Sequence, residues 1–253
     1  MTSKEITRRE DPPLVKLLDQ FEGDLTEALP TDMTPGRFKS ICVNQLRQNP
    51  QLTNVEPITF ISSVLLSAQL GLEPGAPMGL AWIIPRRNKG RLEASLQLGY
   101  QGLRQLAYRS GQVKQVGAFI VNEGDDFDYR YEVPAGWVLD WTPGGIPDRD
   151  WTHVFATAET VLGGVLVEVM TKEEVYAHRD RYVSDWKKST GWTKNEPEMA
   201  RKTVLAKLCR QLPMSSEFRN AMVADGSSPR EVAPDLAGLT ALEAAEVEEV
   251  ESE

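Results

Sequence analysis

Residues 71–114, GLEPGAPMGLAWIIPRRNKGRLEASLQLGYQGLRQLAYRSGQVK, decide how the chain is read. They carry seven bases (Arg86, Arg87, Lys89, Arg91, Arg104, Arg109, Lys114) and two acids, Glu73 and Glu93, inside a protein whose net charge is −9. Two apolar runs, 79–85 and 92–98, flank Arg86–Arg91, and Asn88-Lys89-Gly90 between them supplies turn chemistry. That pattern predicts a β-hairpin with a basic tip. Leu98-Gly99-Tyr100-Gln101-Gly102 then breaks the strand. A short helix comes next, with Leu103, Leu106 and Ala107 on one face and Gly111 as its stop. A strand, a basic turn and an Arg-bearing helix in succession suit a polyanion-binding surface. From charge alone a merely solvated tip is the favoured reading, and composition takes it no further.

Working outward, no apolar run approaches the roughly 20 residues needed to span a bilayer. The opening MTSKEITRREDPP lacks a signal-peptide core, so the chain reads as cytosolic. The two cysteines, Cys42 and Cys209, each fall on an apolar helical face and read as buried thiols. Net charge divides unevenly. Residues 223–253 hold nine acids against Arg230, a segment of −8, so the first 222 residues carry about −1 of the total −9. The low isoelectric point is therefore no argument against a DNA partner. The acidic tail reads as disordered or partly helical. Its role is left between a solubilising end and an interaction or autoinhibitory segment.

The N-terminal part predicts helices. Asp11-Pro12-Pro13 opens one, with Leu14, Leu17, Leu18, Phe21, Leu25 and Leu29 at helical spacing. Thr34-Pro35 opens a second carrying Phe38, Ile41, Cys42 and Leu46. A third runs over 57–70 to Gly71. Beyond the central stretch, 113–121 reads as a strand, and 125–131 alternates Phe127, Tyr129 and Tyr131 with period two. Residues 134–150 read as a long connection, 151–160 and 164–170 as strands. Thr171-Lys-Glu-Glu174 is a capping box that starts a helix to about Tyr182. Residues 183–196 read as a loop, 197–212 as a helix, and 216–222 as a closing helical turn.

A second basic cluster comprises Lys187, Lys188, Lys194, Arg201, Lys202, Lys207 and Arg210. On the 197–212 helix, Lys202 falls away from Met199 and Leu208, so its ammonium is expected outside the core. Trp82, Tyr100, Tyr108, Trp186 and Trp192 are candidates for base stacking or for packing. Gly99 and Gly102 beside Tyr100 suggest a tight turn and a close backbone approach to a phosphate. No phosphate-loop or dinucleotide fingerprint occurs, and His153 and His178 stand outside any triad or ligand pattern. Glu123, Asp125, Asp126 and Asp128 could suggest a metal nuclease or a Ca²⁺ loop. They lack the EF-hand spacing and overlap the Phe127/Tyr129 alternation, so an ordinary strand is favoured.

LGLEPGAPMGLAWIIP followed by LQLGYQGLRQLAYRSGQV resembles the RecT family of phage-type single-strand annealing recombinases. The resemblance continues through VNEGDDFDY (121–129), VMTKEEVYAHRDRY (169–182) and EMARKTVLAKLCRQLP (198–213), and so spans roughly 57–213 in unbroken order. It loosens in HVFATAETVLGGVLVEVM, and no role is assigned to 134–150. The resemblance implies an α+β fold: a small antiparallel sheet with a basic hairpin packed against helices. Three regions are expected: a helical one at 1–56 making subunit contacts, an annealing core at 57–222, and the tail at 223–253. Implied partners are single-stranded and annealed duplex DNA, further copies of the chain, a phage exonuclease and a host single-strand-binding protein, in a bacterial cytoplasm. No ATP is required, and Mg²⁺ enters as a DNA counterion. Expected DNA contacts are Arg86, Arg87, Lys89, Arg91, Tyr100, Gln101, Arg104, Lys187, Lys188, Arg201 and Lys202, the two clusters forming opposite walls of one positive channel. A non-annealing strand-coating protein is the alternative.

Overall fold

The computed structural model describes residues 13–134, 136–145, 150–183, 187, 190–212, 218–219 and 222. Proline in the first turn starts three of its helices: α3 (Pro35–Gln48), α4 (Pro57–Gln69) and α8 (Glu196–Cys209). The opening helix is broken in two. α1 (Pro13–Gln20) and α2 (Glu22–Ala28) meet at Phe21, whose backbone leaves helical geometry at φ −94°, ψ 18°. Leu18, Leu25, Phe38, Cys42 and Leu46 from α1–α3 join Phe60, Ile61 and Val64 of α4 in a single hydrophobic core. The helices before residue 57 thus share one core with the rest of the chain.

α4 ends at Gly71, whose φ of +57° turns the chain out of the helix. Two of its last carbonyls are met within the turn, Ala68 O by Gly71 N at 2.8 Å and Ser67 O by Leu72 N at 3.0 Å, and Arg109 Nη1 donates to Leu70 O at 2.6 Å. β1 (Ala81–Asn88) and β2 (Arg91–Leu98) form the expected hairpin, antiparallel and separate from the other strands. Its inner face, with Ala81, Ile83, Ala94, Leu96 and Leu98 buried, lies on α4. The seam is tied by Ala94 N to Thr59 Oγ1 (2.9 Å) and Glu56 N to Leu92 O (2.8 Å).

Helix α5 (Tyr100–Arg109) comes directly after β2. The three-stranded antiparallel sheet then runs β3 (Val113–Asn122), β6 (Trp151–Thr160) and β7 (Val165–Thr171), in that spatial order. One face of it presents Val116, Ala118, Val154, Ala156 and Ala158, small buried residues that let α8 lie flat beneath all three strands. α5 packs under β3, and α6 (Lys172–Tyr182) packs against β7 and β6. The capping box at Thr171 and Glu174 is made reciprocally, at 3.2 and 2.9 Å.

Two expectations fail. Residues 136–142, read as part of a long connection, are strand β5 (Gly136–Thr142), paired with β4 (Asp126–Glu132). Trp137, Leu139 and Trp141 stand opposite Tyr131, Tyr129 and Phe127. The glycine, proline and aspartate around them masked an alternation of period two. Phe127 and Trp141 then stack over Phe155 and Phe119 on the far side of the central sheet, at 5.2–5.6 Å between ring centroids. The second failure is α7 (Thr190–Lys194), a helical turn inside the expected loop, held because Trp192 is buried at 4% exposure. The expected turn at 216–222 lies largely outside the described residues; Phe218 and Met222 are helical and buried.

Candidate nucleic-acid interface

The hairpin tip is a two-residue turn. Asn88 pairs with Arg91, and both intervening residues are left-handed, Lys89 at φ +47° and Gly90 at +88°. This is the turn whose twist matches paired strands. Glycine takes that conformation without cost; lysine does so only under strain. Side chains alternate across the hairpin, so adjacent bases part company. Arg86 and Arg91 share the outer face with Trp82, while Arg87 stands on the other face, opposite Leu92. Arg86 faces Glu93, and Asn88 Nδ2 donates to both Glu93 oxygens at 3.1 Å. Arg87, Lys89 and Arg91 are exposed.

Tyr100, Gln101 and Arg104 come together on α5. The Arg104 guanidinium lies 5.8 Å from the Tyr100 ring and 5.9 Å from the Tyr108 ring, and its Nη1 donates to Gln101 Oε1 at 3.3 Å. Arg104 Nε is buried and, among the described residues, has no hydrogen-bond partner. Tyr100 is half-buried, and its hydroxyl accepts from Ala118 N of β3 at 3.1 Å. Its ring is therefore fixed between sheet and arginine. Beside these residues opens a groove of about 600 Å³, lined also by Met78, Leu80 and Gln105. Gly99 and Gly102 do permit a close approach, but to the chain's own backbone. A Cβ would lie 1.9 Å from Gly79 O at the first and 2.0 Å from Leu80 O at the second.

The second cluster is placed differently from the expectation. Lys202 is buried at 8% exposure, because α8 has neighbours on more than one side: the sheet above, α5 and α7 alongside. A helical wheel with a single apolar face does not describe such a helix. Arg201 pairs with Glu198 at 2.9 Å, and its Nε is buried. Lys187 is exposed, whereas Lys188 and Trp186 lie outside the described residues. Trp192 serves packing; the Arg179 guanidinium lies 5.8 Å from its ring and 4.5 Å from that of Tyr176. Glu196 Oε1 accepts from Trp151 Nε1 (2.9 Å) and Tyr176 Oη (2.8 Å), joining β6, α6 and α8. Lys172 donates to Asp150 at 2.5 and 2.6 Å and holds that carboxyl below the usual range. The other exposed bases of this half, among the described residues, are Arg181, Lys194, Lys207, Arg210 and Arg219. They are absent from the expected contacts, although Lys194, Lys207 and Arg210 belong to the second basic cluster read from the sequence.

Two of the four acids hold structural contacts. Asp125 accepts from Asn122 N, Trp141 Nε1 and Gly144 N at 2.8–3.0 Å, which fixes the turn into β4. Asp128 is paired with Arg130. Among the described residues, no three His, Cys, Asp or Glu side chains gather to hold a metal.

A family profile described as "RecT family" matches residues 36–235. The chain belongs to the RecT family. It is 34% identical over 218 residues to "Protein RecT" of Escherichia coli (strain K12), covering 85% of this chain and 80% of that protein. It is 28% identical over 197 residues to "Uncharacterized protein YqaK" of Bacillus subtilis (strain 168), covering 74% and 63% respectively. The RecT match begins inside α3 and so takes in more of the N-terminal helices than the motif blocks that suggested it. The α+β fold expected of a RecT protein is the one observed. No helix among the described residues is long and apolar enough to cross a membrane.

Proposed function

We propose that the protein is an ATP-independent single-stranded DNA-binding and annealing protein of homologous recombination, working as an oligomer on DNA held in a positively charged groove. The observation that carries this reading is the exposed basic hairpin turn, in a chain of the RecT family. Arg87, Lys89 and Arg91 present cations at the exposed tip, and Arg104 lines an open groove at the other end of the hairpin. Such groups take phosphate oxygens and leave the Watson–Crick edges free. A second strand can then test its pairing, and base pairing supplies both specificity and driving force. Each neutralised phosphate releases counterion, so affinity should fall with salt at a slope of about −0.7 per contact. Copies of the chain side by side along the strand would extend the clamp. No nucleotide hydrolysis is required, and Mg²⁺ is available as a counterion to the DNA.

The test is the annealing rate of two complementary oligonucleotides, with and without protein, in the absence of ATP and at two salt concentrations. Acceleration that fades with salt, and that Lys89→Glu with Arg91→Glu abolishes, is the expected result. Binding without acceleration would make the protein a strand-coating module instead. No binding would remove the DNA reading altogether.

A further inference from the structure

Along much of the body, bases are matched by carboxylates: Arg37 by Glu73, Lys39 by Asp19, Lys114 by Glu159, Lys172 by Asp150 and Lys207 by Glu168. At the tip of the β1–β2 hairpin they are not. Arg87, Lys89 and Arg91 are exposed within five residues, and among the described residues none of the three is paired with a carboxylate. The acid of this hairpin, Glu93, faces Arg86 and accepts both hydrogen bonds that Asn88 Nδ2 donates. Strand pairing up to Asn88 and Arg91 keeps the three cations close together. Lys16, Arg47, Arg181 and Lys194 are likewise exposed and without a carboxylate among the described residues, but they are spread over four helices. The tip is thus a concentrated positive charge whose counter-charge is missing.

The chain carries that counter-charge itself. Residues 223–253 hold −8 of the total −9, and six of their nine acids (Glu243, Glu246, Glu248, Glu249, Glu251 and Glu253) fall in 243–253 with no base among them. Even at full extension, about 3.4 Å per residue, these six average no more than about 7 Å apart. A dense row of anions is also what a phosphate backbone presents to a basic surface. Reach is ample: 31 residues span up to about 100 Å, against a radius of gyration of about 17 Å for a compact body of this size. We propose that residues 243–253 occupy the basic hairpin tip when no DNA is bound, as an intramolecular polyanion that single-stranded DNA must displace. The regulatory part rests on the DNA-binding reading above; the contact itself does not. A tethered segment works at an effective concentration of the order of 1 mM, so a dissociation constant of about 0.1 mM closes the tip about nine-tenths of the time and weakens DNA binding about tenfold. Salt weakens the tail contact along with the DNA contact. Wild type therefore shows a shallower salt slope than a protein whose tail is neutral.

The experiment uses three full-length variants. One neutralises the tail by Glu243→Gln, Glu246→Gln, Glu248→Gln, Glu249→Gln, Glu251→Gln and Glu253→Gln; one neutralises the tip by Arg87→Gln, Lys89→Gln and Arg91→Gln; the third combines them. The tip residues are exposed, so all three should keep the wild-type melting curve, which checks their fold. The first readout needs no DNA: a fluorescein-labelled peptide of residues 235–253 is titrated with the tail-neutral protein at low salt and followed by anisotropy. We expect saturable binding that the combined variant loses. No binding, or equal binding to both proteins, overturns the contact. The second readout is affinity for a fluorescent oligothymidylate across a salt series. The tail-neutral protein should bind about tenfold more tightly than wild type at low salt and converge on it as salt rises. Equal affinities at low salt overturn the regulation. A gain just as large when the tip is already neutral also overturns it, since repulsion of DNA by the tail at a distance would act without the tip. Oligonucleotide binding by neither wild type nor the tail-neutral protein, with peptide binding at the tip intact, would refute the DNA-binding reading and leave the contact standing.

Discussion

Gly102→Ala puts the junction between hairpin and α5 to the test. By helix propensity alone alanine should stabilise α5 by about 1 kcal/mol. The structure reverses the sign. A Cβ at 102 would lie 2.0 Å from Leu80 O and 2.9 Å from Leu80 C, where real Cβ contacts essentially never fall below 3.0 Å. Both are backbone atoms. Leu80 O also accepts the hydrogen bond from Gly99 N at 2.8 Å, so it cannot swing aside without breaking the seam. Overpacking a tight site costs about 1–3 kcal/mol and sometimes more. A clash this deep against backbone belongs at the upper end, and we expect a net loss of about 3 kcal/mol. For a chain of this size that lowers the melting temperature by roughly 6–12 °C. Thermal unfolding followed by circular dichroism is the assay. Gly36→Ala is the control, since Gly36 sits in the first turn of α3 with nothing within 4 Å of its would-be Cβ. It should leave stability unchanged or raise it by up to about 1 kcal/mol, the propensity gain with no clash against it. A Gly102→Ala protein that melts at or above wild type would refute the close approach, and with it the placement of Arg104 beside the groove.

Burial pushes both cysteine thiols up to about 12, so neither should react with a disulfide reagent at about pH 8 in the native protein. Denaturant should release two thiols, the whole content of the chain; fast native labelling would contradict the packing of α3 or α8. His178 binds its proton less readily in the folded state, so the unfolded state takes up more protons as pH falls below the ordinary histidine value. Stability should therefore drop on acidification through that range. His178→Asn should show a smaller drop in denaturant midpoint, and an equal one would place the titration elsewhere. Lys202→Glu reverses a buried charge and should cost about 3 kcal/mol or more, read as a lower melting temperature. The same change at exposed Lys187 should leave the melt near wild type. Equal melts would put Lys202 on the surface.

Much of the fold was legible where a local rule has a local cause. Pro35 and Pro57 marked helix starts, because proline's missing N–H costs nothing there. The Thr171–Glu174 capping box announced α6, and Asn88-Lys89-Gly90 announced the turn that closes β1 on β2. The expected interface divides on the same line. Arg87, Lys89 and Arg91 are exposed as a hairpin tip dictates, while a period of two set Arg86 and Arg87 on opposite faces. Strand β5 was overlooked because its Trp137, Leu139, Trp141 alternation sits among turn-forming residues. Its partner and the ring-on-ring cover over Phe155 come only from packing.

By itself the sequence determined the family through its motif blocks, the α+β class the family implies, the order of nearly all the elements, and the gathering of −8 of the total −9 in the tail. These depend on residue spacing along the chain, which local sterics and periodicity convert directly into helices, strands and turns. Only the tertiary structure decided which bases face water. Lys202 is enclosed because α8 lies under three strands with α5 and α7 beside it, whereas Arg181, Lys207 and Arg210 stay exposed. Only the tertiary structure showed that Gly99 and Gly102 make room for Gly79 and Leu80. Burial and potential are sums over neighbours distant in sequence, and no spacing rule along one chain contains them.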